Sequence, residues 1–236
     1  MAKRILLVGG DEFRASCAGM DRHVLEATGE ANPRVAIVPT AAAFENPGLA
    51  ASNGVRHFTG LGASAYGLDV VRREDAENTR VVAQLDGAHV IYFTGGSPEH
   101  LHSVLAGSPL LSAVNEACDA GAIWAGSSAG AMVLGSVMRR PSSGSPVSPA
   151  LDIVPNVMVL PHHERSDPNA VTEQLSGSAT VGLCVLGIDG GSGVFLDAGG
   201  ATALGAGNIT VYRSGEWRRY AAGEKVPQLT VNGPVS

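Results

Sequence analysis

The run WAGSSAGAMVLG, residues 124–135, holds a serine between two glycines in the pattern Gly126-x-Ser128-x-Gly130. An apolar, strand-like segment precedes it, and small residues suited to the start of a helix follow. In that setting the pattern predicts a nucleophile elbow, a sharp strand-to-helix turn that exposes the serine hydroxyl. Such a turn also directs backbone N–H groups, here that of Ala129, to where an oxyanion would form. A tightly packed structural turn is the alternative, since the short pattern also occurs by chance.

A serine hydroxyl is a weak nucleophile near neutral pH, so it needs a base. His162 and His163 directly follow the apolar run VMVL. Ligands of open parallel sheets bind at the carboxyl ends of strands, which favours this pair. A loop histidine that only bonds to backbone is the alternative for both. The other histidines are expected at surface or boundary positions, without catalytic or metal-binding roles: His23, His57, His89, His100 and His102.

A second oxyanion donor is expected from another strand end, and YFTGGSPEH supplies Gly95-Gly96. Paired glycines let the backbone approach a substrate closely, although they also occur in simple tight turns. We predict that their strand lies beside the strand of Ser128. Neither this run nor LLVGGDE has the G-x-G-x-x-G spacing, so dinucleotide binding is not expected.

The elements that must position these groups are short apolar runs ending in glycine, proline or small polar residues. Continuous rather than alternating hydrophobicity is typical of strands buried on both faces of a parallel sheet. Helical patterns between them predict βαβ units, and so a three-layer α/β/α fold with a mostly parallel sheet. The runs are RILLVGG (4–10), RVAIVPT (34–40), AHVIYFTGG (88–96), GAIWAGSS (121–128), NVMVLPHH (156–163) and LCVLGID (183–189).

Three further segments complete the organisation of a single predicted domain, residues 1–236. Residues 97–121 read as a helical segment with Ser97 as its cap and Pro98 in its first position. Near the C-terminus, Ser214-Gly215 joins two β-like runs as a hairpin at a sheet edge. The Ser/Pro-rich residues 139–156 are interpreted as a surface loop that could wall a cleft.

Composition excludes several classes of protein. An apolar content of 44% supports a full core, and a net charge of −6 without any basic run argues against a nucleic-acid partner. No apolar segment approaches the ~20 residues of a membrane span. Three cysteines without a CxxC pair are expected to be buried thiols in a reducing compartment, so we predict a cytoplasmic protein. No metal ion and no organic cofactor is expected.

Taken in order, these motifs resemble those of the dipeptidase E and cyanophycinase family of serine peptidases, whose fold is similar to that of the class I glutamine amidotransferases. The likeness covers most of the chain. Its most specific parts are the Gly-x-Ser-Ala-Gly-Ala core and the Pro-His after VPNVMVL. It continues through LLVGG, VAIVPTAAA, YFTGGSPEHL, LGID and ALGAGNITVY.

The resemblance implies a catalytic role for Ser128 as nucleophile and for His162 as general base, with an oxyanion hole formed by the N–H groups of Gly96 and Ala129. His163 falls where the family more often has an aromatic residue. A small peptide is then the expected partner, and a homodimer is one assembly left open. Amidotransferase chemistry is not expected, because those enzymes have cysteine at the elbow.

One departure concerns the third member of the triad. The family usually supplies a glutamate in a Gly-Ile-Asp-Glu-like stretch, but LGIDGGSG has Gly190 at that position. Asp189 could replace it only if the strand ends there, because successive strand side chains face opposite ways. A relocated acid, a slow Ser-His dyad and a binding protein without catalysis all remain open. The other carboxylates considered are Glu164, Asp167 and Asp197.

The resemblance also bears on the substrate. Family enzymes cleave after an N-terminal aspartate in dipeptides, or at β-aspartyl-arginine links in cyanophycin. A cation is therefore expected near Ser128, and Arg165 is the first candidate for a bidentate clamp. Arg139 and Arg140 are second choices. Only one arginine closely follows the histidine pair, whereas cyanophycinase-like members carry several, which favours small-peptide hydrolysis.

Overall fold

A computed structural model describes residues 3–139, 147–176, 180, 182–227 and 229. Within these residues the strands follow one another with helices between most of the early ones. The strands are β1 (Arg4–Val8), β2 (Arg34–Val38), β3 (Ser64–Gly67), β4 (Val90–Phe93), β5 (Ile123–Ser127), β6 (Val137–Arg139), β7 (Val147–Pro149), β8 (Val157–Leu160), β9 (Cys184–Ile188), β10 (Ser192–Asp197), β11 (Gly200–Gly205), β12 (Ile209–Arg213), β13 (Glu216–Tyr220) and β14 (Lys225–Val226).

Four of the eight helices in the described part of the chain begin at a capping side chain followed by proline, and the sequence predicted one of these starts, at Ser97-Pro98. Ser97, Ser108 and Asp167 each accept a hydrogen bond from a backbone N–H of the first turn. The helices are α1 (Ala18–Ala27), α2 (Pro47–Gly60), α3 (Arg73–Glu77), α4 (Thr79–Val82), α5 (Pro98–Leu105), α6 (Pro109–Asp119), α7 (Ala129–Met132) and α8 (Pro168–Leu175).

The main sheet has eight strands in the order β14-β11-β10-β1-β5-β4-β2-β3. Strands β1, β5, β4, β2 and β3 are parallel, and β10 joins β1 antiparallel. Both faces are buried: Ile5 and Leu7 belong to one apolar core, whereas Leu6 and Val8 belong to another. Helices cover these faces, which confirms the predicted α/β architecture with a mostly parallel sheet.

Two apolar runs that we predicted for the same sheet lie elsewhere. Strands β8 and β9 pair in parallel with each other in a separate four-stranded sheet, ordered β13-β12-β9-β8. The predicted hairpin through Ser214-Gly215 forms the edge of this second sheet. Short apolar runs do not reveal which partners they will find, so sequence could not separate the two sheets.

The predicted helical segment 97–121 is two helices, α5 and α6. Gly107 has a φ of +67°, which ends the first helical path, and Ser108 then caps the second. The Ser-Pro pair that we read only at residue 97 therefore recurs at 108. The consequence for the site is small, because α5 still starts directly after Gly95-Gly96.

The parallel strands β1, β4 and β5 end at the same edge of the main sheet. Their carboxyl ends lead into the β1 loop (residues 9–13), into Gly95-Gly96 and into Ser128. Strand β4 pairs with β5, as predicted. This edge therefore collects the polar groups that the sequence singles out. None of the helices in the described part of the chain is long and apolar enough to cross a membrane.

Candidate active site

The elbow at Ser128 is a strained turn that only its two glycines permit. Ser128 has φ +49° and ψ −108°, a backbone conformation that residues other than glycine rarely adopt. A Cβ on Gly126 would overlap the carbonyl of Gly130, and a Cβ on Gly130 would lie 2.5 Å from the carbonyl oxygen of Phe93. The pattern is therefore required by close backbone packing, and strain of this kind collects at functional sites.

Ser128 and His162 meet across the sheet edge. Nε2 of His162 lies 3.2 Å from Oγ of Ser128, so the hydroxyl can donate a hydrogen bond to the imidazole. Ser128 is half-buried and His162 is exposed. This is the geometry that nucleophile and base need for proton transfer.

The β1 loop contacts both the backbone and the ring of His162. The N–H of His162 donates to the carbonyl of Gly9 at 2.8 Å, and the residue adopts a left-handed conformation with φ +52°. Its ring lies on Gly10, where a Cβ would be 2.6 Å from Nδ1 and 2.7 Å from Nε2. Gly10 also has φ +133°. The sequence LLVGG predicted only a strand end, although paired glycines also permit a close approach of the backbone to another group.

The two predicted oxyanion donors follow neighbouring strands. In the described chain, the backbone N–H groups of Gly96 and Ala129 donate to no protein acceptor. Gly96 is exposed with φ +137°, and a Cβ on it would overlap the carbonyl of Ala41. Ser97 donates its N–H to that carbonyl at 2.8 Å. Neither N–H group therefore has a competing protein acceptor among the described residues, although Ala129 itself is buried.

Asp189 does not replace the missing glutamate. Its side chain turns to the loop before β12, where Oδ2 accepts the backbone N–H of Asn208 at 2.9 Å. Of the other carboxylates considered, Asp167 caps α8 and Asp197 bonds to Gly199. In the part of the chain that the structure describes, no carboxylate lies within hydrogen-bond distance of Nδ1 of His162.

Two carboxylates nevertheless surround Gly190. A Cβ there would lie 2.6 Å from Oδ2 of Asp11 and 3.6 Å from Oε2 of Glu164. Glu164 accepts the N–H of Gly190 at 3.0 Å. That bond, together with a backbone bond within Glu164 itself, lowers the pKa of the Glu164 carboxyl group below its ordinary value. The carboxylate of Asp11 thus occupies the space that a side chain at position 190 would need.

The neighbouring His163 has a different environment. It is buried, and its Nε2 lies 2.6 Å from the hydroxyl of Tyr212, with the two rings edge to face. Burial lowers the pKa of His163 below its ordinary value of 6.5. The pair therefore splits into one exposed imidazole against Ser128 and one buried imidazole in the second sheet.

This burial predicts a pH-dependent stability. Because the pKa of His163 is lower in the folded than in the unfolded chain, the unfolded chain binds more protons below pH 6.5. Stability from the neutral ring is complete above that pH and is lost as pH falls through the folded pKa. We expect His163→Phe/Tyr212→Phe, which keeps the ring contact without an orphaned hydroxyl, to lose this dependence. Urea unfolding at about pH 7.5 and 5.5 measures it.

Tyr212→Phe alone is the control, since it retains the titrating ring. An equal loss of stability on acidification in the double variant and in the wild type would contradict the assignment. His163→Phe alone should cost about 1–3 kcal/mol at about pH 7.5, because it leaves the Tyr212 hydroxyl buried without a partner.

Among the described residues, no hydrogen bond joins Arg165, the predicted substrate clamp, to Ser128 or His162. Arg165 lies in the 3₁₀ turn His163–Arg165 and is exposed. Arg139 ends β6 and is also exposed, and Arg140 lies outside the described residues. Part of the Ser/Pro-rich segment 139–156 that we expected to wall a cleft, residues 140–146, likewise lies outside them, and Val147–Pro149 forms strand β7 against β6.

A polar cleft of about 700 Å³ opens beside His162, and sequence reasoning missed most of its lining. Arg14 and Arg56 line it together with acids of the β1 loop. His57 also lines it, and its Nε2 lies 2.7 Å from Oδ2 of the fully buried Asp21. His57 is partly buried, as the predicted boundary position implies, but its pairing with Asp21 was not predicted. A pairing between α1 and α2 leaves no local sequence signal.

The three cysteines are buried, as predicted. Cys17, Cys118 and Cys184 are buried free thiols, and burial raises the pKa of Cys17 and of Cys118 to about 12. No cluster of three or more His, Cys, Asp or Glu side chains suited to a metal ion occurs among the described residues.

The geometry can be compared with known proteins. A sequence model of peptidase family S51 matches residues 5–204. Cyanophycinases from Nostoc sp. and Trichormus variabilis are each 28% identical over 174 residues, which is 69% of this chain and 57% of theirs. The chain thus spans little more than half the length of these curated relatives.

Two solved structures resemble the fold. A peptidase from an acI-B1 Actinobacterium superposes with a TM-score of 0.84 at 27% identity, covering 96% of this chain and 97% of its own. A putative peptidase E from Listeria monocytogenes EGD-e gives a TM-score of 0.63 at 17% identity, covering 88% and 100%. At that identity the second likeness concerns the fold alone.

Proposed function

The chain belongs to peptidase family S51, and from that premise we propose that it hydrolyses small peptides, chiefly dipeptides with an N-terminal aspartate. Ser128 is the nucleophile and His162 the general base in this proposal. The observation that carries it is the 3.2 Å approach of Nε2 of His162 to Oγ of Ser128 at a strained elbow.

The reaction is acyl transfer. Ser128 attacks the peptide carbonyl while His162 takes the hydroxyl proton, and the N–H groups of Gly96 and Ala129 bind the oxyanion. His162 then donates its proton to the leaving amine, and water attacks the acyl-enzyme to regenerate Ser128. Arg165 remains the proposed clamp for the aspartate carboxylate.

Covalent labelling tests the nucleophile without knowledge of the natural peptide. We expect a fluorophosphonate to modify the folded protein at Ser128, as located by mass spectrometry of the digest. His162→Ala should slow labelling by about 10²-fold or more, the usual contribution of a general base. The probe resembles the tetrahedral intermediate, so its rate also reports on the oxyanion donors.

Heat-unfolded protein is the control, since an ordinary serine hydroxyl does not react. Folded protein that stays unlabelled would favour the alternative of a binding protein, for which the absence of a carboxylate on Nδ1 of His162 is the motivating observation. Modification at another serine would remove Ser128 from the mechanism.

A second candidate is hydrolysis of β-aspartyl peptides. The names of the curated relatives favour it, because both are cyanophycinases. The single arginine close after the histidine pair favours the dipeptide instead.

A further inference from the structure

Glu12, in the β1 loop, has a carboxylate that joins three strand ends. Its Oε1 accepts the backbone N–H of Gly95 at 2.8 Å. Its Oε2 accepts the hydroxyl of Ser127, also at 2.8 Å. Ser127 is completely buried, and the catalytic scheme assigns it no role.

These two partners immediately precede the groups that act on the substrate. Gly95 comes before the oxyanion donor Gly96, and Ser127 comes before the nucleophile Ser128. A single side chain therefore holds the elbow and the glycine loop at a fixed separation. Charge-assisted hydrogen bonds of this kind are stronger than neutral ones.

The peptide that carries the Gly96 N–H lies between two fixed peptides. Glu12 holds the preceding one through the N–H of Gly95, and the carbonyl of Ala41 holds the following one through the N–H of Ser97. The carbonyl oxygen of this intervening peptide, that of Gly95, also accepts the hydroxyl of Thr94 at 3.3 Å. Glycine at both positions places few steric restraints on its rotation. Without Glu12, the anchor on the preceding peptide is lost.

Backbone strain in the β1 loop indicates that Glu12 is held in a restricted position. Asp11 and Phe13, on either side of Glu12, have φ values of +58° and +66°. Gly10 in the same loop supports the ring of His162. Strain of this kind persists only where surrounding contacts enforce it, and it clusters at functional sites.

We propose that Glu12 is a positioning residue that aligns the nucleophile and the oxyanion donor, an inference that rests on the proposed peptidase function. Its negative charge would oppose a nearby oxyanion, so its contribution is geometric. A glutamine of the same length can accept the Gly95 N–H with its oxygen and donate to Oγ of Ser127 with its nitrogen. An aspartate keeps the charge but is too short to reach both partners.

The test compares Glu12→Gln, Glu12→Asp and Glu12→Ala. We expect Glu12→Gln to retain fluorophosphonate labelling within a few-fold, whereas Glu12→Asp and Glu12→Ala slow it by about 10², the usual loss on impairing an oxyanion donor. With a cleavable dipeptide, kcat should fall in the same order and KM should stay nearly constant, because the oxyanion exists only in the transition state.

Glu26→Ala, which removes an exposed carboxylate from α1, is the control and should label like the wild type. Circular dichroism verifies that each protein is folded. If Glu12→Ala does not fold, the labelling rates of Glu12→Gln and Glu12→Asp are sufficient to test the proposal. Equal rates for all variants, or a Glu12→Gln variant slower than Glu12→Asp, would overturn the proposal. Labelling that persists in Ser128→Ala would instead refute the proposed function.

Discussion

Ser128→Ala should lower kcat for an Asp-Xaa dipeptide by at least about 10²-fold, because it removes the atom that attacks the carbonyl. Stability should change little, since Ser128 is half-buried and, among the described residues, its hydroxyl has His162 as its only side-chain partner. Steady-state hydrolysis and thermal unfolding measure the two quantities. The α-linked dipeptide should be cleaved faster than a β-aspartyl-arginine peptide, which discriminates the two candidate substrates.

The size of the fall in kcat caused by Ser128→Ala indicates whether a carboxylate supports His162. In subtilisin, removing the serine costs about 2 × 10⁶ in kcat and removing the aspartate alone about 3 × 10⁴, so a dyad retains under a hundredfold advantage over the serine-less site. A loss near 10² would thus identify a working Ser-His dyad. A loss near 10⁶ would mean that a carboxylate, such as Asp11 beside Gly190, supports His162 during the reaction.

Ser103→Ala, at an exposed position of α5, is the control for removal of a serine hydroxyl. It should leave both activity and stability unchanged. Hydrolysis by Ser128→Ala at the wild-type rate would end the assignment of this residue as nucleophile.

The sequence predicted the parts of the fold that depend on local patterns. Continuous apolar runs, a Ser-Pro helix start at 97 and the hairpin at Ser214-Gly215 each correspond to an element. The division into two sheets was missed, because β8 and β9 are as apolar as the strands of the main sheet. The choice of strand partner is a long-range property that no short run contains.

The candidate site was likewise predicted only in part. Ser128 and His162 follow strands and lie in recognisable motifs, so they were predicted, and they meet at 3.2 Å. Glu12 was missed because its partners, Gly95 and Ser127, are distant in sequence. A lone glutamate in a loop is more often a solvated surface charge, and only the folded chain distinguishes the two.

The carboxylate that occupies the place of the expected glutamate at position 190 could not be predicted from the motif. Gly190 was correctly noted as a departure, but the natural substitute, Asp189, faces Asn208 instead. The carboxylate that occupies the place next to Gly190 belongs to Asp11, at the far end of the sequence. Side chains from different segments can fill the same space, and sequence offers no register between them.

Gly10→Ala should inactivate the enzyme although Gly10 contacts no substrate in the proposed scheme. Its Cβ would lie 2.6 Å from Nδ1 of His162, and the backbone at φ +133° is strained for alanine. Because His162 is anchored through its N–H to Gly9, its ring must swing toward solvent, away from Ser128. We expect kcat to fall by about 10²-fold or more, the usual cost of a displacement near 1 Å.

The double variant Gly10→Ala/His162→Ala separates this mechanism from general damage. If alanine at position 10 acts only through the imidazole, the double variant should be no slower than His162→Ala alone, because both changes remove the same function. Gly200→Ala provides the strain control, since its φ is +101° and no atom lies within 4 Å of the added Cβ. It should lose about 1–3 kcal/mol of stability and retain activity. Full activity in Gly10→Ala would mean that the base tolerates a shifted ring, and the 3.2 Å contact would then not be the geometry on which catalysis depends.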